Sequence, residues 1–178
     1  HTPPCCDLII SKGVKRCVCG CVDPFAKVQG RGIRRMRDAG IEVTVGVLEE
    51  ECKAMNRRFM VFNQEGRPYI VLKWAHTADG FISGKGGVPI RVSTPFTQML
   101  THKLRAESDA ILVGRHTLET DHPRLDVRQW SGKSPEAIVL SRSMKSVTEG
   151  FVCLDSIEAV VAHLVGEHRQ SLIVEGGA

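Results

Sequence analysis

The chain has 178 residues, 42% of them hydrophobic and 25% charged, with a net charge of +4. That balance excludes intrinsic disorder, and 5% aromatic content with cations scattered in ones and threes argues against a base-stacking nucleic-acid surface. No run of about eighteen apolar residues is present, so no membrane-spanning helix is expected. No secretory leader is visible, and seven cysteines then read as reduced thiols of a cytoplasmic protein.

The chain opens on HTPPCCDLIISKG, which predicts a short helix capped by Thr2, with Pro3 at its first position and Gly13 as its stop. VKRCVCGCV (14–22) reads as a strand whose Cys17, Cys19 and Cys21 share one face, as small apolar residues do on a buried strand. RGIRRMRDAG (31–40) reads as a helix closed by Gly40, and IEVTVGV (41–47) alternates as a strand. A further helix is expected over about 49–62, carrying Cys52, Met55, Phe59 and Met60. Alternating helices and strands imply parallel pairing under helical cover.

QEGRP (64–68) reads as a linker, since Pro68 keeps a helix from running on. The rhythm then restarts. PYIVLKWAHTADG predicts a strand and a turn. Thr94 and Pro95 cap a helix with Phe96, Met99, Leu100 and Leu104 on one side. AILVG (110–114) and AIVLS (137–141) are buried strands. Asp155 and Glu158 make a capping-box pair for a helix bearing Ile157, Val160, Val161 and Leu164, and SLIVEGGA closes the chain. The first helix–strand units supply part of a sheet, and SLIVEGG stops where a helix should follow, so both ends read as cut.

Several stretches carry chemistry. Glu175, at the tip of a strand and followed by Gly176 and Gly177, suits a phosphate approached by backbone N–H groups, or equally a plain strand-ending turn. VGRHTLETDHPRLDVR (113–128) sets Thr117, Asp121, His122, Arg124, Asp126 and Arg128 in a loop after a strand, as around a ligand or in a solvated ion-pair loop. Arg105 suits a helix C-terminus. Lys73 could pair with a buried acid or touch a substrate. His76, His102, His116, His163 and His168 have no metal-ligand spacing relative to one another. Cys5, on a first helical turn behind proline, fits a zinc ligand or a reactive thiol.

Taken in order, TPPCCDLIISKGVKRCV, DPFAKVQGRGIRRMRDAGIEV, LKWAHTADG, STPFTQMLTHKLRAESDAILVG, TLETDHPRLDVR and IVEGGA resemble the bifunctional riboflavin-biosynthesis deaminase/reductase family. The resemblance implies an α/β fold: the C-terminal part of a cytidine-deaminase-like α/β/α domain (1–63), a linker (64–68), and part of a dihydrofolate-reductase-like reductase domain (69–178). It implies a reductase that passes hydride from NADPH to the ribose C1 of 5-amino-6-(5-phosphoribosylamino)uracil. Ala75, Thr117 and Asp121 would lie along NADPH, and Gly176 and Gly177 would begin its pyrophosphate loop. Arg105, Leu125, Arg128 and Glu175, with Lys73, would contact the phosphorylated pyrimidine ribose, and Asp121 and Glu175 would be the catalytic carboxylates. Cys5 matches one of three zinc ligands of the deaminase. The His-Ala-Glu and first Pro-Cys motifs of that domain are not in this sequence, so deamination by this chain is not expected. The family tends to form homo-oligomers, with no nucleic-acid or membrane partner. Pro89-Ile90-Arg91 stands where relatives often have Ser-x-Trp, and Ser141 where many have aspartate. A reductase-only or inactive nucleotide-binding relative is the alternative.

Overall fold

The structure, a computed structural model, describes residues 4–25, 28–88, 90–144 and 149–176. The chain divides into two compact units, 1–66 and 67–178. Among the described residues no helix is long and apolar enough to cross a membrane.

In the first unit, α1 (Cys5–Ser11), β1 (Arg16–Cys19), α2 (Arg31–Asp38), β2 (Glu42–Val45), α3 (Glu49–Met55) and α4 (Arg57–Glu65) follow one another. β1 and β2 pair in parallel, Arg16 opposite Glu42 through Cys19 opposite Val45. Pro4 takes the N-cap position of α1, while the expected cap, Thr2 before Pro3, falls outside the described residues. Cys6, Met36 and Ile41 form the small core, with Cys17 and Cys19 packed on it from one face of β1, their Sγ atoms 3.9 Å apart. Cys21 lies beyond the end of that strand.

The single helix expected over 49–62 is two. The chain leaves helical geometry at Asn56 (φ −103°, ψ 20°), whose side-chain amide donates to the Cys52 carbonyl at 2.9 Å. An asparagine that bonds back to the preceding turn competes with the backbone ladder, and here the ladder restarts as α4.

The second unit contains β3 (Tyr69–Lys73), α5 (Pro95–Ala106), β4 (Ala110–Gly114), α6 (Arg115–Asp121), β5 (Glu136–Leu140), β6 (Phe151–Leu154), α7 (Ile157–Gly166) and β7 (Ser171–Glu175). Among the described residues its five strands are all parallel, in the order β3-β7-β4-β5-β6. The α/β class with parallel strands expected from the sequence is the class found.

Alternation along the strands builds two cores. Ala110, Leu112, Ile138 and Leu172 face one way and pack with Val160 and Leu164 of α7. Ile111, Val113, Val139 and Ile173 face the other, with Leu104 of α5, Leu118 of α6 and Leu125. Each fully buried aliphatic side chain contributes about 1.5–3 kcal/mol relative to exposure. By the same parity Ser171, Ile173 and Glu175 point to the α5 side of β7.

The N-cap of the last helix sits one residue later than the sequence suggested, which puts Ala159 rather than Glu158 at the third helical position, so the expected capping box is replaced by a single cap bond. Ser156, not Asp155, is the N-cap of α7, and its hydroxyl accepts from the Ala159 N–H at 3.1 Å. Ser156→Ala is expected to cost about 1 kcal/mol. Asp155→Ala should leave the urea midpoint nearly unchanged; a larger loss from Asp155→Ala would contradict this assignment.

Candidate active site

All five strands run in the same sense, so their carboxyl ends form one edge, where ligands of open α/β sheets collect. Lys73 ends β3 and lies in register with Glu175 at the end of β7, and Gly114 ends β4 beside them. Over this edge opens a cavity of about 670 Å³, within the range of small-molecule sites. Its wall includes Lys73, Ala75, Arg105, Thr117, Asp121, Leu125, Glu175 and Gly176. Ile90, from the segment that departs from the pattern of relatives, also lines it.

Glu175 is the buried centre of the charge arrangement. Arg105 reaches it from the last turn of α5 as a two-toothed fork, with Nε to Oε1 and Nη2 to Oε2 both at 2.8 Å. Lys73 Nζ lies 3.8 Å from Oε2. The side chains of Glu175 and Arg105 are 10% and 12% exposed, so water screens this pair little. A third donor of Arg105, Nη1, bonds the Asp126 carbonyl at 3.2 Å.

Arg128 lines a second, polar pocket of about 260 Å³ that shares Lys73 and Arg105 with the first. Its guanidinium pairs with the Asp126 carboxylate, and Arg124 Nε approaches the other oxygen of that group at 3.6 Å. Burial pulls the Asp126 carboxyl upward, but the bond and charge of Arg128, aided by Arg124, outweigh it and hold the group below its ordinary value. The pocket places cationic side chains on one concave surface, as binding of a phosphoryl group requires.

The stretch 115–128, expected as loop, is loop only in its second half. The first half is α6, held by an Arg115–Glu119 pair one turn apart. Helical spacing puts Thr117 and Asp121 on one face, toward the cavity. The second half is irregular, with His122 and Leu125 in left-handed backbone at φ 41° and 51°.

The apolar side proposed for α5 is buried only toward its C-terminal end: Leu104 packs on the core and Met99 is half-buried, whereas Phe96 is 64% exposed and Leu100 is exposed too. The single fully buried residue of the helix is His102, 4% exposed. Gln98, Thr101, His102 and Arg105, spaced i, i+3, i+4 and i+7, all line the smaller pocket. That polar stripe was legible in the sequence as helical spacing, but an apolar periodicity search passes over it. Burial first, then the charges of Arg105 and Arg128, push the His102 imidazole below its ordinary value.

Gly114 and Gly176 lie side by side where β4 and β7 end, beside Thr117: a Cβ placed on Gly176 would lie 3.5 Å from Thr117 Oγ1 and 4.0 Å from the Gly114 N, ordinary contact distances, and one placed on Gly114 would meet nothing within 4 Å. Gly177 lies outside the described residues. Cys5 is exposed on the first turn of α1, and among the described residues no three His, Cys, Asp or Glu side chains are grouped to hold a metal ion. Cys5 by itself makes no zinc site, which needs three or four protein ligands.

The class defined by this geometry is a parallel α/β unit with a polar, arginine-lined cleft at the carboxyl edge of its sheet. The model of the RibD C-terminal domain matches residues 68–178. Riboflavin biosynthesis protein RibD of Aquifex aeolicus is 41% identical over 146 residues, which are 82% of this chain and 41% of that protein. The same-named protein of Escherichia coli is 39% identical over 131 residues, 74% of this chain and 35% of that protein. A crystal structure from Thermotoga maritima, of a diaminohydroxyphosphoribosylaminopyrimidine deaminase/5-amino-6-(5-phosphoribosylamino)uracil reductase, is 32% identical. It covers 99% of this chain and 58% of its own, with a TM-score of 0.89. The chain therefore belongs to the RibD family through its C-terminal domain. It spans less than half the length of these curated relatives, 41% and 35%.

Proposed function

We propose that residues 69–178 form part of a riboflavin-biosynthesis reductase domain, which opens the ribose of 5-amino-6-(5-phosphoribosylamino)uracil to a ribityl chain. Residues 1–63 would be the C-terminal part of the zinc-dependent deaminase domain, joined by a linker at 64–68, in a cytoplasmic and homo-oligomeric enzyme. The observation that carries the reading is the convergence of Lys73, Arg105, Asp121, Leu125 and Glu175 on one cavity.

NADPH would supply the hydride. The glycines ending β4 and β7 leave room for its phosphates, and Ala75 and Thr117 line the cavity along its course. Arg105 and Arg128, with Lys73, would hold the sugar phosphate by charge-assisted bonds. Glu175 keeps the Arg105 fork oriented. Asp121 lines the cavity, and among the described residues its carboxylate makes no ion pair or hydrogen bond. It is the group to face C1 as hydride would add to that carbon, the bond to the ring oxygen breaks and the departing oxygen takes a proton from water. A carboxylate there stabilises the positive charge that develops.

NADPH oxidation with the pyrimidine substrate tests this. Asp121→Ala is expected to lower kcat by about 10²–10³-fold, the usual worth of one preorganised electrostatic stabiliser of a transition state. Arg128→Ala should raise KM about ten- to a hundredfold, as the loss of one charge-assisted bond predicts. Unimpaired turnover by both variants would remove the assignment.

A further inference from the structure

We propose that His102 is the positioning residue for the substrate-facing arginines, acting through the backbone carbonyl of Asp126. The proposal rests on the reductase reading and adds to it a residue that touches neither cofactor nor reacting carbon.

The segment that carries Leu125, Asp126 and Arg128 has little regular structure to hold it. Residues 122–128 belong to no helix or strand, and His122 and Leu125 sit in left-handed backbone although neither is glycine. Leu125 is also 3% exposed, so its strained conformation is fixed inside the fold. Such conformations are unfavourable for side chains other than glycine and persist when surrounding contacts over-determine them. Here the ties are few: the Val127 N–H donates to Ser134 Oγ at 3.0 Å, and the Asp126 carbonyl accepts from α5.

That carbonyl is a shared node. His102 Nδ1 lies 3.0 Å from it and Arg105 Nη1 lies 3.2 Å from it. The Arg128 N–H comes within 3.4 Å of the same ring nitrogen. One nitrogen cannot donate to the carbonyl and accept from an N–H at once. The shorter contact assigns the proton to Nδ1, leaving Nε2 unprotonated in the neutral ring. The groups around the imidazole are Arg105 on its own helix and Arg128 and Asp126 on the loop, and the two cations favour that neutral form.

Removing the Nδ1 donor would therefore leave Arg105 alone on the carbonyl and free the loop to relax its left-handed residues. Arg128 would then swing from the pocket wall that it shares with Arg105 and His102. The imidazole itself need not contact the sugar phosphate for this effect.

The test compares two amides of different reach. Asparagine places its side-chain nitrogen near the Nδ1 position, whereas glutamine places it near Nε2. Binding of ribose 5-phosphate is measured by calorimetry on the whole chain, with melting curves to check folding. His102→Asn should bind within about threefold of wild type, and His102→Gln about tenfold more weakly, as loss of a buried bond predicts. In the NADPH assay His102→Gln should raise KM with little change in kcat, since the arginines grip ground and transition states alike. Equal binding by His102→Gln and wild type would overturn the role of His102 alone. So would a folded His102→Asn that fails to restore binding, which still decides the matter should His102→Gln unfold. Absence of ribose 5-phosphate binding by wild type would overturn the reductase reading and this inference together.

Discussion

Glu175→Gln is expected to lower the stability of the second unit by about 3–5 kcal/mol, the cost of removing one partner from a buried ion pair. The substitution preserves shape but leaves Arg105, 2.8 Å away through two bonds, and Lys73, 3.8 Å away, as cations around a neutral amide. Urea unfolding should show an earlier midpoint with an unchanged slope. Because Arg105 loses its fork partner, sugar-phosphate binding should fall as well. The double substitution Glu175→Leu with Arg105→Met separates the two effects. Apolar replacement of a buried pair is often neutral or stabilising. The double variant should therefore recover much of the stability while binding no sugar phosphate. If Glu175→Gln unfolded at the wild-type midpoint, the pair would not be the buried interaction that its geometry describes.

The second large effect lies at the opposite, amino-terminal edge of the same sheet. Asp109, just before β4, accepts through Oδ2 from the Gln170 N–H at 2.8 Å and from the Ser171 N–H and hydroxyl at 2.9 Å. Its own N–H donates to Ser171 Oγ at 2.9 Å, and its carbonyl accepts from Glu136 N at 3.0 Å. One aspartate thus ties together the starts of β4, β7 and β5. Asp109→Ala would leave two backbone donors and a buried hydroxyl without an acceptor, at about 1–3 kcal/mol for each unpaired buried group. A combined loss on the order of 3 kcal/mol or more is expected in denaturant titrations. Asp109→Asn, which keeps one acceptor oxygen, should lose less. Below its melting point Asp109→Ala should bind ribose 5-phosphate within about twofold of wild type, since the arginine–carboxylate pair sits a strand length away. Wild-type stability in Asp109→Ala, or a large loss of binding by the folded variant, would contradict this division between the two ends of β7.

These two residues differ in how readable they were. Glu175 announced itself: a carboxylate at the tip of an apolar strand before two glycines is a local pattern. Asp109 stands before AILVG with nothing nearby to mark it, and its partners are 61 and 62 residues away.

By itself the sequence determined most of the helices and strands in their order, the parallel α/β class and the candidate residues at strand ends; the break at Asn56, α6 and β6 were not read from it. Strand alternation, helical spacing, caps and breakers are properties of neighbouring residues, and they survive without knowledge of the fold. Tertiary structure alone decided the strand order β3-β7-β4-β5-β6, the helix that carries Thr117 and Asp121, and the burial of His102 on the polar face of α5. It also joined Arg105 to Glu175 across 70 residues and Asp126 to His102 across 24. Those choices belong to packing and charge pairing between distant segments, whose energies exist once the chain has brought the segments together.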